Sequence, residues 1–350
     1  MTDILAELAY LHGKPTSKAK LKAKPEHFVV KENLGFEFSG SGEHLMVRIR
    51  KTGENTSFVV NELAKVCGVK SKNIGWAGLK DRHAITEQWL SIQLPKLDTP
   101  DFSVFEQQYP SIQILETARH NRKLRPGDLI GNDFEITLSE VTDTDDVEAR
   151  IQQVIENGVP NYFGAQRFGR EGNNLSEARR WGRDNVRTKN QNQRSLYLST
   201  ARSWIFNHIV SSRMNKGVLN TLIAGDIVSQ SDKLIDIDEV NIPSFQEELE
   251  AGKSALTAAL AGDNALPTKE DALEIEQAVV DAESELMALI RGNRMRHDRR
   301  DILLRPLGLS FKVEDSMIEL SFSLTSGSFA TSIVRELIEE IPVERHFDQG

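Results

Sequence analysis

The segment NIGWAGLKDRHAITEQ, residues 73–88, gathers side chains that could carry out acid–base or nucleophilic chemistry. Two glycines permit a tight backbone path, and the run KDRH at 80–83 then sets one carboxylate, Asp81, among three basic side chains. An ionised carboxylate can attack carbon or accept a proton. The structural alternative is that Asp81 caps a helix or turn while its basic neighbours are solvated. An isolated KDRH run favours that alternative, so the assignment depends on the rest of the chain.

Three further segments combine polar residues and glycines in a way that packing alone does not require. They are RHNRKLRPGDLIGNDFEITL at 119–138, GVPNYFGAQRFGR at 158–170 and TSGSFATSIVREL at 325–337. The sequence contains no GxxxxGK[ST], GxGxxG, HExxH or CxxC motif, and its eight histidines are scattered. We therefore expect no metal and no organic cofactor, and nucleotide hydrolysis, hydride transfer and zinc chemistry are disfavoured.

The net charge of −9 argues against a polyanionic partner, but the charge is unevenly distributed. Residues 231–290 hold 15 acidic side chains and 3 lysines, so this acidic stretch carries −12 and the remaining residues carry +3. Basic residues cluster in SKAKLKAK at 17–24, RHNRKLR at 119–125, the region 167–194 and RGNRMRHDRR at 291–300. Solvated surface charge explains any one cluster; four of them weaken that explanation. Nucleic acid is therefore a candidate partner, with the acidic stretch turned away from it.

Length and composition indicate a folded protein of about two domains. Of its 350 residues, 39% are apolar and 27% charged, which is ordinary globular usage. No apolar run reaches about 18 residues, and the N-terminal segment lacks the pattern of a secretory leader. The single cysteine, Cys67, cannot form an internal disulfide and lies in an apolar segment that predicts a buried helix. We expect no membrane association and a cytoplasmic location.

Short segments rich in β-branched or aromatic residues predict strands. These strands must position the side chains of the four motif segments. They are HFVVKENL at 27–34, HLMVRIR at 44–50, EQWLSIQL at 87–94, DFEITL at 133–138 and SMIELSFSL at 316–324. Apolar and polar residues alternate strictly in the last of these. Between the first two strands, the glycine-containing segment SGSGEH at 39–44 predicts a hairpin turn.

Helical spacing of apolar residues predicts helices in ENTSFVVNELAKVC at 54–67 and TDDVEARIQQVIENG at 144–158. After Gly158 the chain becomes mostly helical, and a last helix is predicted from Ser328. The predicted helices of this block include LSEARRWGR, TARSWIFNHIVSSRM and EDALEIEQAVVDAESELMALIRG. A strand region, a helical block and a second strand region together predict an α+β domain interrupted by an insertion.

Taken together, the four motif segments closely resemble the pseudouridine synthase D (TruD) family of tRNA pseudouridine synthases, and the resemblance covers nearly the whole chain. It implies an isomerase that converts a uridine of tRNA, U13 in the D-arm region, to pseudouridine. It also implies a discontinuous catalytic domain at 1–157 and 301–350, with the mixed or antiparallel sheet of pseudouridine synthases. A largely helical TRUD insertion domain would then occupy 158–300.

The resemblance further implies that Asp81, within GLKDR, is the catalytic carboxylate. A lysine before the first strand accompanies it in the family, and Lys22 in AKLKAKPEHF matches that position, although Lys20 and Lys24 are local rivals. The charge of Lys22 would keep Asp81 ionised in a water-poor pocket. The carboxylate could attack C1′, attack C6 of the ring or act as a base at the sugar, and the sequence leaves these three routes open.

A base stacked in folded tRNA must be flipped into the enzyme before it can react. By the resemblance, Phe28, Phe134 and Phe329 line the uracil site, and Asn132 hydrogen-bonds the base or the sugar. An asparagine side chain offers both a donor and an acceptor, which suits the edge of uracil. Each phenylalanine taken alone is more typical of a core, and only the motif context assigns it to the site.

Three hypotheses from different classes follow. The first is a tRNA uridine isomerase, the second a non-catalytic RNA-binding or RNA-chaperone protein on the same fold, and the third a glycosidase-like hydrolase of a small nucleoside. The intact GLKDR context around Asp81 favours the first over the second. The basic clusters favour it over the third, because a small nucleoside needs no extended positive surface.

Overall fold

The computed structural model describes residues 3–96 and 98–344 and divides the chain into two compact units. The sheet unit comprises Pro15–Ile155, Pro306–Ala330 and the chain from Leu337. The helical unit comprises the chain up to Lys14, Glu156–Arg305 and Thr331–Glu336. The division into a catalytic domain and an insertion domain stays a prediction, and residues 345–350 of that predicted catalytic domain lie outside the described residues.

Strands and helices are distributed along the whole of the described chain. The strands are β1 Lys18–Ala19, β2 Phe28–Asn33, β3 His44–Thr52, β4 Ile74–Trp76, β5 Ile85–Gln93, β6 Ile112–His120, β7 Gly131–Leu138, β8 Val159–Pro160, β9 Ile227–Gln230, β10 Lys233–Asp236, β11 Ala255–Leu260, β12 Asp298–Asp301, β13 Leu303–Leu304, β14 Leu307–Glu314, β15 Met317–Thr325 and β16 Glu339–Glu340. The helices are α1 Thr56–Val66, α2 Ser103–Gln108, α3 Thr144–Asn157, α4 Asn173–Arg183, α5 Gln191–Asn215, α6 Ile242–Glu250, α7 Glu270–Ala282, α8 Ser284–Gly292 and α9 Ala330–Leu337. The α+β class predicted from the sequence is confirmed.

An eight-stranded sheet forms the centre of the sheet unit, in the order β14-β15-β7-β2-β5-β3-β6, with β4 also paired to β5. Neighbouring strands are antiparallel except β2 and β5, which are parallel. The predicted hairpin at 39–44 is wrong, because β5 lies between β2 and β3. The loop after β2 instead carries Phe36 and Phe38 onto the sheet, where Phe38 packs 4.6 Å from the ring of Trp89.

The alternation of side chains gives this sheet two different faces. One row on the first face runs across five neighbouring strands: Lys51, Thr86, Val30, Phe134 and Phe322. These five side chains are all buried. Helix α1 packs on part of this face with the buried residues Val59, Val60, Leu63 and Ala64. Polar residues therefore lie among apolar ones on a covered face, where each of them needs a hydrogen-bond partner.

The helical unit contains more β-structure than the sequence predicted. A four-stranded sheet in the order β10-β9-β11-β12 accompanies helices α4, α5, α7 and α8. The segment EDALEIEQAVVDAESELMALIRG, predicted as one helix, is two helices broken at Glu283, whose φ of −114° and ψ of 51° are not helical. The carboxylate of Glu283 binds the guanidinium of Arg179 at 2.6 Å and accepts a hydrogen bond from the indole of Trp204 at 2.9 Å.

Part of the acidic stretch at 231–290 is structural. Glu276 is buried and forms an ion pair with buried Arg299 at 2.7 Å. Its carboxylate also accepts a hydrogen bond from the backbone N–H of Ala259 at 2.9 Å. A uniformly solvated acidic surface is therefore the wrong description of this stretch, although its predicted orientation away from RNA stays a prediction.

Candidate active site

The KDRH segment lies in the loop between β4 and β5, and buried polar side chains anchor its backbone. The side-chain amide of Gln88 donates to the carbonyl of Gly78 at 3.1 Å, and the backbone N–H of Lys80 donates to the hydroxyl of Thr56 at 3.2 Å. The hydroxyl of Thr56 in turn donates to Gln88 at 3.0 Å. Thr56 is the first residue of α1 and Gln88 lies in β5, so a helix terminus and a strand hold the loop together.

A buried ion pair adds a third anchor to the same loop. The ammonium of Lys80 lies 2.9 Å from the carboxylate of Glu32, and their side chains are 6% and 0% exposed. Glu32 also accepts the backbone N–H of Trp89 at 3.1 Å. Removing one partner of such a pair leaves an uncompensated buried charge, which costs about 3 to 5 kcal/mol. The Lys80 side chain is thereby directed away from solvent and fixes the residue before Asp81.

Lys51 holds the backbone of Asp81 itself. Its side chain is completely buried, and its ammonium donates to the carbonyl oxygens of Glu54 at 2.7 Å and Asp81 at 3.0 Å. Burial lowers the pKa of Lys51 to about 8. The negative charge of Asp81 acts in the opposite direction and offsets part of this effect. A lysine is almost never fully buried without a partner, so this contact is a specific structural feature.

The carboxylate of Asp81 is bound on both oxygens. One oxygen accepts the backbone N–H of His83 at 2.8 Å, and the other accepts the ammonium of Lys22. Burial alone would raise the pKa of Asp81, but the charge and hydrogen bond of Lys22 and the N–H of His83 together outweigh it. The pKa of Asp81 therefore lies below its ordinary value. At neutral pH the group is ionised and suits a nucleophile or base better than a general acid.

Among the three candidate lysines, the structure brings Lys22 to Asp81. Its side chain is only 10% exposed, whereas Lys20 forms an ion pair with Glu140 and Lys24 is exposed. Lys22 also has a φ of +54°, a left-handed conformation that a residue with a Cβ rarely adopts.

The predicted aromatic residues Phe28 and Phe134 lie together beside this ion pair. The Lys22 ammonium is 4.2 Å from the centroid of the Phe28 ring, and Phe28 packs edge-on against Phe134 with centroids 6.1 Å apart. Phe134 stacks on Phe322 at 5.5 Å. Phe28 and Phe134 are 5% and 8% exposed, so they form the floor of the site and are not freely exposed stacking platforms.

Asn132 and Phe329 lie at one end of the same sheet. Asn132 pairs with Glu32 across β7 and β2, and its side-chain oxygen is buried without a hydrogen-bond partner among the described residues. Phe329 is half-buried and immediately precedes α9. The backbone N–H of Ser326 donates to the carbonyl of Ile130 at 2.9 Å, which ties the segment before Phe329 to the start of β7. The roles of both residues stay predictions.

Five residues that matter for this geometry were not singled out from the sequence: Glu32, Lys51, Thr56, Lys80 and Gln88. Lys80 was seen only as a basic neighbour of Asp81. One signal was present, because Gln88 lies inside the predicted strand at 87–94, whereas Lys51 and Thr86 lie one residue outside the predicted strands at 44–50 and 87–94. A polar residue at an inward-facing strand position requires a partner, and the partners come from distant parts of the chain.

Within residues 3–96 and 98–344, no three histidine, cysteine, aspartate or glutamate side chains come together in a way that could hold a metal ion. Across the same ranges, no helix combines the length and the apolar character needed to cross a bilayer.

Comparison with protein families gives a match over nearly the whole chain. The family model described as tRNA pseudouridine synthase D (TruD) matches residues 5–178 and 173–337. A tRNA pseudouridine synthase D from Vibrio vulnificus is 67% identical over 347 residues, 99% of this chain and 100% of that protein. The protein of the same name from Vibrio cholerae is 66% identical over 350 residues, 100% of this chain and 97% of that protein.

A solved structure shares the fold. The crystal structure from Methanosarcina mazei that carries the TruD name has a TM-score of 0.73, with 94% of this chain and 95% of that chain covered. The two sequences are 23% identical, so this likeness concerns the fold alone.

Proposed function

The chain belongs to the tRNA pseudouridine synthase D (TruD) family, and from this membership and the site geometry we propose that it converts U13 of tRNA to pseudouridine with Asp81 as the catalytic carboxylate. The reaction breaks the C1′–N1 bond, turns the uracil and joins C1′ to C5. It is redox-neutral and transfers nothing to or from a second substrate. The enzyme is accordingly an isomerase whose substrate is tRNA.

The observation that carries the proposal is the ion pair of Asp81 with the largely buried Lys22, on a loop that is anchored at Gly78, Lys80 and Asp81. Gln88 binds Gly78, Thr56 and Glu32 bind Lys80, and Lys51 binds Asp81. Attack at C1′, attack at C6 and proton abstraction at the sugar all require an ionised, positioned carboxylate. The lowered pKa of Asp81 supports all three routes and disfavours a role as general acid.

The substrate residue would be a flipped uridine. Phe28 and Phe134 supply an apolar wall on the side of the carboxylate, and Phe329 supplies a further ring face. The side-chain oxygen of Asn132, which has no hydrogen-bond partner among the described residues, is suited to accept a hydrogen bond from the N3–H of uracil. A buried acceptor without a donor is costly, and a bound base would remove that cost.

We propose that residues 1–157 and 301–350 form the catalytic domain and residues 158–300 the TRUD insertion. The enzyme would act in the cytoplasm, where its substrate is, and without a resident metal or organic cofactor. The redox-neutral rearrangement supports the last point, because its bond changes need only a carboxylate and proton transfers.

The test is Asp81→Asn, which keeps the shape of the side chain and one of its two acceptor oxygens but removes its charge. We expect no detectable pseudouridine at position 13 and an unchanged Kd for tRNA. Asp315→Asn, at an exposed position in the turn between β14 and β15, is the matched control and should have wild-type turnover. Turnover by Asp81→Asn near the wild-type rate would refute the assignment. Mapping pseudouridine in tRNA from cells with and without the gene tests the position.

A further inference from the structure

A cavity of about 330 Å³ lies in the sheet unit beside the N-terminal half of α1 and β4, apart from the Asp81 site. Its lining residues are Ser57, Val60, Asn61, Ser71, Lys72, Ile74, Trp76 and Lys123. The volume is at the lower end of the range for small-ligand sites. None of the site residues assigned above lines it.

The lining combines an apolar floor with a partly exposed aromatic ring. Val60 and Ile74 are buried in the core beneath α1, and Trp76, at the end of β4, packs against the same core while remaining half-buried. The side chains of Asn61 and Ser71 stand together, with the serine hydroxyl donating to the amide oxygen at 2.7 Å. A large ring next to an amide and hydroxyls can stack on a nucleobase and hydrogen-bond its edge.

Two lysines supply positive charge at this cavity. The ammonium of Lys123 donates to the carbonyl of Lys72 at 2.5 Å, which holds both residues at one side of the cavity. Gly75 permits this approach, because a Cβ there would lie 2.8 Å from Cγ of Lys123 and 2.3 Å from the carbonyl oxygen of Leu124. The Lys123 side chain is thus placed by close backbone packing.

The lining also contains no carboxylate to oppose these two charges. Another cavity of the same unit, of about 430 Å³, differs in this respect, since Glu32, Glu37 and Asp133 contribute to its wall. Carboxylates repel phosphate, so the smaller cavity is the better match for an RNA strand.

We propose that this cavity binds a second, unstacked nucleotide of the RNA substrate, with its base on Trp76 and its phosphate on Lys72 and Lys123. The proposal rests on the proposed function. Trp76 and Asp81 are five residues apart, which limits their separation to about 18 Å. The second nucleotide therefore belongs to the same region of the tRNA as the target uridine.

The lysines are tested by the double variant Lys72→Ala and Lys123→Ala, with Lys65→Ala and Lys312→Ala as a double control of equal charge change. Lys65 and Lys312 are exposed and outside the cavity. The Kd for a prefolded tRNA transcript is measured at increasing salt. Two lost phosphate contacts should lower the slope of log Kd against log salt by about 1.5. The control double variant should change this slope by less than about half as much.

The ring is tested by Trp76→Leu, which keeps apolar contact with the core, and Trp76→Phe, which keeps a ring. Losing a stacked base should raise KM about 5- to 150-fold at unchanged kcat, and phenylalanine should restore most of the loss. The melting temperature of each variant is measured first. If Trp76→Leu unfolds early, the phenylalanine variant and the lysine pair decide the matter.

The two proposals fail differently. An unchanged salt slope in the lysine double variant, together with an unchanged KM in the folded tryptophan variants, would overturn the second nucleotide site while wild-type turnover persists. Absence of pseudouridine formation by the wild-type protein would instead refute the proposed function.

Discussion

Replacing Lys51 by methionine separates the positioning of Asp81 from the stability of the fold. Methionine has a similar length and no donor, so the variant retains packing but releases the carbonyl oxygens of Glu54 and Asp81. A lysine pKa of about 8 in place of 10.5 means that burial disfavours the ammonium by about 3 kcal/mol at neutral pH. Two buried carbonyls without donors cost about 1 to 3 kcal/mol each. These effects oppose each other, so the free energy of unfolding should change by no more than about 3 kcal/mol.

Catalysis should respond much more strongly than stability. A displacement of about 1 Å at a reacting group costs on the order of 100-fold in rate. We therefore expect the single-turnover rate of Lys51→Met on tRNA to fall about 100-fold at saturating enzyme, with an unchanged Kd. Lys31→Met is the matched control, because Lys31 lies on the opposite face of the same sheet and pairs with exposed Glu135. It should retain the wild-type rate.

The pH dependence of unfolding gives an independent check on Lys51. Its folded pKa is lower than its unfolded pKa, so the unfolded state binds more protons between pH 8 and 10.5. The stability of the wild type relative to Lys51→Met should consequently rise with pH across this window and be lowest below pH 8. A wild-type single-turnover rate for Lys51→Met, or a loss confined to Kd, would show that Lys51 does not position Asp81.

Two further predictions concern the remaining parts of the site. Phe329→Ala should lower turnover at least tenfold and change the melting temperature only slightly, because a lost base-stacking contact costs about 1 to 3 kcal/mol in binding and a lost core phenylalanine about 3 to 5 kcal/mol in stability. Early melting with normal turnover below the melting temperature would instead place Phe329 in the core. Chelation of divalent metal in the presence of prefolded tRNA should leave the single-turnover rate unchanged, and a chemical step that stops under these conditions would contradict a cofactor-free mechanism.

The sequence predicted those elements whose pattern is local. The strict alternation of β15 and the apolar face of α1 both appear where they were expected. The short strands β9 and β10 were missed, because four residues cannot display a clear alternation. The break at Glu283 was missed because no glycine or proline marks it and the tertiary contacts of its carboxylate accompany it.

The candidate site was predictable only in part. Family resemblance singled out Lys22 and Asp81, and the structure brings them into contact. The support beneath them could not be predicted, because Lys51 and Glu32 reach the Asp81 loop from strands about 30 and 50 residues earlier. Only the pairing of β2, β3 and β5 makes these residues neighbours, and pairing between distant segments leaves no periodic trace in the sequence.

The order of strands has a consequence for how the chain folds during synthesis. Strand β7 is paired on one edge by β2, but its other edge must wait for β15, whose residues lie about 190 positions later. Until the ribosome has made those residues, a nascent chain already contains Lys22, Asp81 and Phe134 yet exposes an unpaired strand edge beside them. Such an edge can pair with strands of other chains. The native contacts between β7 and β15 form slowly, because the two strands are distant in sequence. Folding yield should therefore be set by the last tenth of the polypeptide, long after the catalytic loop has been translated.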